Sequence, residues 1–474
     1  MDNHTAKEVP VNAIGVGWLA RPCQQQVCSH LQEVLAMTSL SPRATRRVRR
    51  FAEQRWLLDA VIQSLGLEWD QGRIGYSVAP CGVLALPDFE RVRSRVNKFD
   101  DIAREFAAAG VARMRRAEAA RAAGHDVSER EHSFIASILF GQAQWPIFEN
   151  NEENRRLESL KNAAYAAYAR VAGHPVRQVE LPWGEGSLPG WLHLPPGASA
   201  EHPVGCVISI GGMDSTKEML VAMYGDALLE RGLAVLMFDG PGQASCTVRE
   251  IWVRPGDFPA ATAVALDWLE GQPEIDASRI AVRGVSMGSM WATQAAAGNS
   301  DRVKACAVVY LLQEQGSPAA FAEASPTFKT RFMYMAGYED EDAFDQAAPD
   351  LITVEGLGGK IRCPFLAIGG EDDELTALET TFALIDDISA PKELMLLQGE
   401  RHNMDKPPKF VNEITYIADW FADCLAGKTP DSVLTIVGQD GRIRRIPWSE
   451  RSAYHHGLPE VVLGDDLPEV VLGE

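Results

Sequence analysis

Apolar positions fall at helical spacing in the first third of the chain and in short unbroken runs after it. Residues 1 to about 172 predict mainly helix. "FDDIAREFAAAGVARMRRAEAARAAGHD" is rich in Ala, Arg and Glu, with apolar residues on one face. "SEREHSFIASILFGQAQWPIF" predicts a second helix, opened by Ser128 and closed near Pro146. "NEENRRLESLKNAAYAAYARVAG" predicts a third, ending at Gly173. From about 174 the pattern changes. "PVRQVELPWGEGSLPGWLHLPP" alternates around a Gly-rich turn and predicts a β-hairpin. Short apolar runs then alternate with helical segments: "PVGCVISI", "LAVLMFD", "RIAVRGV", "VKACAVVYL", "PFLAIGG" and "ELMLLQG". That alternation predicts an α/β fold, with a mostly parallel sheet and helices on both faces. In such sheets chemistry belongs in the loops beyond the carboxyl ends of the strands.

A last helix, "KFVNEITYIADWFADCLAG", precedes "SVLTIVGQDGRIRRIPW", which predicts a hairpin turning at Asp440-Gly441. The chain ends in two copies of LPEVVLG, at 458–464 and 467–473. Two copies are too few for a solenoid; they read as a tail or as an apolar strip for a neighbouring subunit. The expected division is a helical N-terminal cap domain over 1–172, a catalytic domain over 173–428 and a hairpin with repeat tail over 429–474.

Composition narrows the partners. The 474 residues carry a formal net charge of −20, which argues against nucleic acid. No apolar run has the length of a membrane span, and the N-terminus lacks the layout of a signal peptide. The eight cysteines are scattered with no CxxC, which predicts reduced thiols, a cytoplasmic location and no zinc site.

Candidate chemistry sits at successive strand ends. "RIAVRGV" runs into Ser286-Met287-Gly288 and a small-residue helix. Gly284-Val285-Ser286-Met287-Gly288 is either an ordinary tight turn or a nucleophile elbow, and its strand-to-helix context favours the elbow. After "VISI" come Gly211, Gly212 and Met213, placed to offer backbone N–H groups to an oxyanion, with the Met287 N–H as the second donor. In the same loop Ser215-x-x-Glu218 reads as a capping box opening the next helix. Asp239, between "LAVLMF" and two glycines, reads as a structural brace. After "PFLAI" stands Gly369-Gly370-Glu371-Asp372-Asp373-Glu374, where a triad acid belongs. Asp373 is the choice there, with Asp372 and, after the preceding strand, Glu314 as rivals. His402 follows "ELMLL" and is the only histidine in a loop after a core strand beyond Ser286. The order Ser286, Asp373, His402 is that of an α/β-hydrolase.

The motifs "GGMDSTKE", "FDGPGQ", "GVSMGS", "GGEDD" and the His402 loop follow a helical segment containing "FGQAQWPIF". Together they resemble the α/β-hydrolase branch of 2,6-dihydroxypseudooxynicotine hydrolase, the fungal polyketide-shortening hydrolases and the FrsA-like esterases. The resemblance covers roughly 100 to 428. It implies a helical domain capping the site, a Ser286/Asp373/His402 triad, an oxyanion loop at Gly212 and Met213, and no cofactor. It also implies hydrolysis of a carbon–carbon bond next to a ketone. An acid downstream of the nucleophile strand is implied as an assistant, and Glu314 is the position offered for it. The chain departs from the branch in its long N-terminal segment and its tail.

The expectation is a hydrolase that cleaves a C–C bond next to a ketone, or an ester, in a bulky polyketide-like or aryl-ketone substrate through an acyl-enzyme. The alternative is an acyltransferase, cyclase or eliminating enzyme that keeps the triad and excludes water. A small-molecule substrate, no metal and a homodimer complete the expectation.

Overall fold

Among the described residues ten strands form a single sheet in the order β1-β2-β4-β3-β5-β6-β7-β8-β9-β10. The computed structural model describes residues 50–404 and 411–454; the LPEVVLG repeats and the segment before 50 lie outside them. The strands are β1 Val176–Trp183, β2 Gly186–His193, β3 Val204–Ile210, β4 Ala234–Phe238, β5 Ile275–Val285, β6 Cys306–Val309, β7 Phe365–Gly370, β8 Lys392–Leu397, β9 Val433–Val437 and β10 Ile443–Pro447. Every pairing from β4 through β3 to β9 is parallel. The expected hairpin over β1 and β2 lies at one edge, antiparallel to β4. The hairpin of β9 and β10 continues the sheet at the other edge, with Arg444, Arg445 and Pro447 on its outermost strand. Charge and proline on an edge strand deter further pairing.

The central strands read as unbroken apolar runs because both faces are covered. On β3 and β4, Cys206, Ile208, Leu236 and Phe238 join one core, while Val207, Val235 and Met237 join the other. This is the period-two alternation of a strand applied to two cores at once.

The helical region precedes the sheet. Its helices include α1 Arg55–Leu65, α2 Arg73–Val78, α3 Leu86–Arg93, α4 Phe99–Ala122, α5 Asp126–Gln144 and α6 Glu152–Val171. α4, α5 and α6 are the three helices read from the sequence, although α5 opens at Asp126 rather than Ser128. The region has its own core, built on residues such as Phe89, Phe106, Phe134 and Tyr168. Trp191 of β2, with Met219 and Met223 of the loop after β3, belongs to that core. Burying each such side chain contributes roughly 1.5–3 kcal/mol, so this seam holds the helices against β2 and the loop after β3.

Further helices cover the sheet: α7 Asp257–Glu270, α8 Met287–Gly298, α9 Pro326–Ala336, α10 Glu341–Leu351, α11 Leu378–Asp387 and α12 Glu413–Leu425. One expected helix is missing. No α-helix lies between β3 and β4, so Ser215 and Glu218 do not form a capping box. The Ser215 hydroxyl instead accepts from the Gly212 N–H at 3.0 Å. Glu218 is buried in ion pairs, 2.6 Å from Lys217 Nζ and 3.5 Å from Lys161 Nζ. Among the described residues no helix is long and apolar enough to cross a membrane.

Candidate active site

The strand β5 and the helix α8 meet at Ser286, which holds φ 56° and ψ −123°. A positive φ on a residue with a Cβ costs of order 1–3 kcal/mol and persists only where the surroundings impose it. Here the surroundings are glycines. A Cβ on Gly288 would lie 2.4 Å from the Ile210 carbonyl oxygen, and one on Gly284 would lie 2.1 Å from the Gly288 carbonyl oxygen. Strand β3, strand β5 and helix α8 therefore touch through bare backbone, and the serine is pushed out on the turn. The Ser286 N–H is fixed by the Val309 carbonyl at 2.9 Å.

The loop after β8 brings His402 to this turn. Its Nε2 lies 3.0 Å from Ser286 Oγ. Its Nδ1 lies 2.9 Å from Asp373 Oδ2 and 3.2 Å from Oδ1. The carboxylate donated by the loop after β7 is thus Asp373. Asp372, the neighbouring rival, is exposed, and its N–H donates to the Glu400 carbonyl. Asp373 is itself oriented by the Leu375 N–H at 2.9 Å. Glu374 accepts from the His402 backbone N–H at 3.0 Å. Burial opposes a charge on His402, but the nearby Asp373 carboxylate, its hydrogen bond and Glu374 outweigh it, so the imidazole pKa lies above the ordinary histidine value.

The glycine loop after β3 lies against the same turn. A Cβ on Gly212 would sit 3.1 Å from the Ser286 Cβ. The Gly212 N–H is engaged by Ser215, so this glycine contributes closeness, and the loop's next N–H is that of Met213. The Met287 N–H opens α8, where a helix leaves its first N–H groups without internal partners. Both methionine N–H groups stand in the segments that flank the serine. Glu314 follows β6 and is half-buried; none of the hydrogen bonds or ion pairs among the described residues links its carboxylate to Ser286 or His402.

Asp239 accepts from the Lys217 and Ser245 N–H groups at 2.8 and 3.1 Å, the brace its position suggested. It belongs to a fully buried ionic cluster. Lys217 also reaches Ser245 at 2.7 Å, Ser245 donates to Glu158 at 2.6 Å, and Lys161 pairs with Glu158 at 2.9 Å. The cluster ties α6 to the loops behind the site.

A cavity of about 480 Å³ opens over His402. Trp69, Gln71, Phe328, Leu375 and Asn403 line it with the imidazole. Sequence reading missed Trp69 and Gln71, since nothing in their local pattern marks them. A surface depression of about 530 Å³ beside the β1–β2 turn is lined by neither Ser286 nor His402.

Comparison with known proteins agrees with this architecture. The Esterase FrsA-like family matches residues 101–327, and the Prolyl oligopeptidase family matches residues 228–428. The alpha/beta hydrolase gkaG of Penicillium citrinum is 34% identical over 247 residues, which is 49% of this chain and 56% of that protein. The alpha/beta hydrolase xenA of Xenoacremonium sinensis is 33% identical over 202 residues, 40% of this chain and 46% of that protein. The chain thus spans about half the length of these fungal relatives. The 2,6-dihydropseudooxynicotine hydrolase of Paenarthrobacter nicotinovorans is 28% identical over 327 residues, 66% of this chain and 82% of that protein. The crystal structure of 2,6-dihydroxy-pseudo-oxynicotine hydrolase shares the fold with a TM-score of 0.65 at 23% identity, covering 76% of this chain and 98% of that one. A mostly parallel sheet with this strand order, a serine on the β5–α8 turn and these relatives lead to one conclusion: the chain has the α/β-hydrolase fold and is similar to proteins named as hydrolases.

Proposed function

We propose that the protein is a serine hydrolase in which Ser286 is the nucleophile, His402 the general base and Asp373 the group that orients it. The observation that carries this reading is the line Ser286 Oγ, His402 Nε2, His402 Nδ1, Asp373 Oδ2, with contacts of 3.0 and 2.9 Å. His402 takes the Ser286 proton as Oγ attacks a carbonyl carbon. Asp373 holds the tautomer that leaves Nε2 free to accept, and it stabilises the imidazolium. The Met213 and Met287 N–H groups receive the oxyanion. His402 then protonates the leaving group, and an acyl-enzyme remains. Water, deprotonated by His402, releases the acid and restores Ser286.

The substrate proposed is a bulky polyketide-like or aryl-ketone compound, cleaved at a C–C bond next to a ketone or at an ester. A carbanion leaves only if it is delocalised, as an enolate or an electron-rich aryl ring; an alkoxide leaves once protonated. The cavity beside His402, lined by Trp69 and Phe328, suits an aromatic or extended apolar group. In this reading the described residues 50–172 form the cap, 173–428 the catalytic domain and 429–454 an appended segment; the parts of the expected divisions 1–172 and 429–474 that lie before 50 and beyond 454 fall outside the described residues. Six described cysteines without disulfides fit a cytoplasmic setting.

Incubation with a fluorophosphonate probe tests the nucleophile. Ser286 should be labelled, and Ser286→Ala should fold and lose turnover; retained turnover would remove the serine from the mechanism. Mass spectrometry in heavy-oxygen water tests hydrolysis. Label in the product acid supports it, whereas acyl transfer to another acceptor, cyclisation or elimination leaves no label.

A further inference from the structure

Resting on the reading of Met213 as an oxyanion donor, we propose that Asp214 is a positioning residue: it lets the helical region hold the Met213 N–H where the oxyanion forms.

Residues 213–228 form neither α-helix nor strand, so no regular structure fixes Met213. Two anchors do so instead. On the N-terminal side, Gln243 Nε2 donates to the Gly211 carbonyl at 2.8 Å. On the C-terminal side stands the Asp214 carboxylate. Its Oδ2 accepts from Gln71 Nε2 at 2.9 Å and from Arg73 Nη1 at 3.2 Å. Its Oδ1 faces Arg331 Nε of α9 at 4.0 Å. Met213 is the residue between the two anchors.

The Arg73 anchor is held from several sides. Its side chain is buried, and its Nε and Nη2 hold the two oxygens of Asp70 at 3.2 and 2.7 Å. Nη1 also donates to the Tyr76 hydroxyl at 2.9 Å. The guanidinium carbon lies 3.5 Å from the centroid of the Trp145 ring. A bidentate pair on one side and an aromatic face on another leave the guanidinium little freedom. Two aspartates and two arginines make the cluster neutral, which lowers the cost of burying it. Gln71 both lines the substrate cavity and bonds Asp214, so it joins the cavity wall to the oxyanion loop. Trp69, Asp70, Gln71 and Arg73 come from the helical region and Asp214 from the loop after β3. The helices would therefore assemble the oxyanion site as well as cover it.

The test uses the full chain with Asp214→Asn and Gln71→Ala, a neutral ester such as p-nitrophenyl butyrate, and an aryl trifluoromethyl ketone. Ser286 adds to that ketone to give a hemiketal oxyanion, which mimics the transition state. The matching trifluoromethyl carbinol mimics only ground-state binding. We expect Asp214→Asn to lower kcat by roughly 10–100-fold, somewhat less than outright removal of a donor, with KM within about threefold. The Ki of the ketone should rise in the same proportion, and that of the carbinol should not move. Unchanged kcat, or a kcat loss without a matching rise in the ketone Ki, would overturn the proposal. Should Asp214→Asn fail to fold, Gln71→Ala keeps every charge and should show the same paired shift at a smaller size, about 3–10-fold. An active Ser286→Ala would instead sink the serine mechanism itself, so the two failures are distinguishable.

Discussion

Gly288 packs so closely on Ile210 that a Cβ on the glycine would meet the Ile210 carbonyl oxygen at 2.4 Å. This contact, between the first turn of α8 and the end of β3, sets how far Ser286 projects. Gly288→Ala must push backbone against backbone. We expect a lower melting temperature and loss of fluorophosphonate labelling at Ser286, at a cost of about 1–3 kcal/mol or more for the forced shift. A Gly288→Ala enzyme with unchanged melting and labelling would contradict the close approach.

His402 should set the acid limb of the rate profile. Its pKa is raised because Asp373 and Glu374 favour the imidazolium more than burial opposes it. The base works only when neutral, so kcat/KM should fall below an apparent pKa higher than that of a free histidine. Asp373→Asn removes the main charge holding the pKa up. It should move the limb to lower pH and reduce kcat by on the order of 10⁴-fold, because the tautomer is lost. For stability the sign is opposite to that of a buried carboxylate. A raised histidine pKa stabilises the fold below the unfolded-state pKa, and that contribution disappears as pH rises through the folded value. An acid limb at or below the free-histidine value would refute this account.

Trp69 and Phe328 should discriminate substrates by size. They face the cavity over His402 but lie outside the hydrogen-bonded line. Truncation of either to Ala should raise KM for a bulky aryl ester by about 10-fold or more, the worth of a large apolar contact, and leave p-nitrophenyl acetate nearly unaffected. Equal effects on both esters would show that the cavity does not hold the substrate's bulk.

Lys161 should be a stability residue. It is fully buried and pairs with Glu158 at 2.9 Å and Glu218 at 3.5 Å. Lys161→Met leaves those carboxylates undercompensated in a dry interior, and breaking a buried pair in this way costs about 3–5 kcal/mol. Denaturant unfolding should show that loss. A variant as stable as the parent would mean that the cluster relaxes or admits water.

Periodicity and small residues carried much of this protein's design in readable form. Strand positions from Val204 to Leu397 could be placed because two covered faces demand continuous apolar runs, the edge hairpins because alternating residues flank a turn, and helices α4 and α6 because a covered face demands a 3.6-residue spacing. The strand-to-helix turn at Ser286 was marked in the sequence by glycines at 284 and 288, although what Gly288 must clear, the Ile210 carbonyl, lies on β3. His402 stood out by elimination. Other features were settled only when distant segments met. Asp372 and Asp373 are chemically identical neighbours, and only the direction in which the loop after β7 presents each carboxylate separates them. Ser215 and Glu218 have the spacing of a helix cap, yet Glu218 pairs with Lys161 and Lys217 and no α-helix begins there. Gln71 and Arg73 lie more than a hundred residues from Asp214, and no local pattern links them. Short-range sterics and hydrophobic spacing act between residues close in the chain, so sequence records them directly. Which charges become partners depends on how folded layers come to rest against one another, and that is decided in three dimensions.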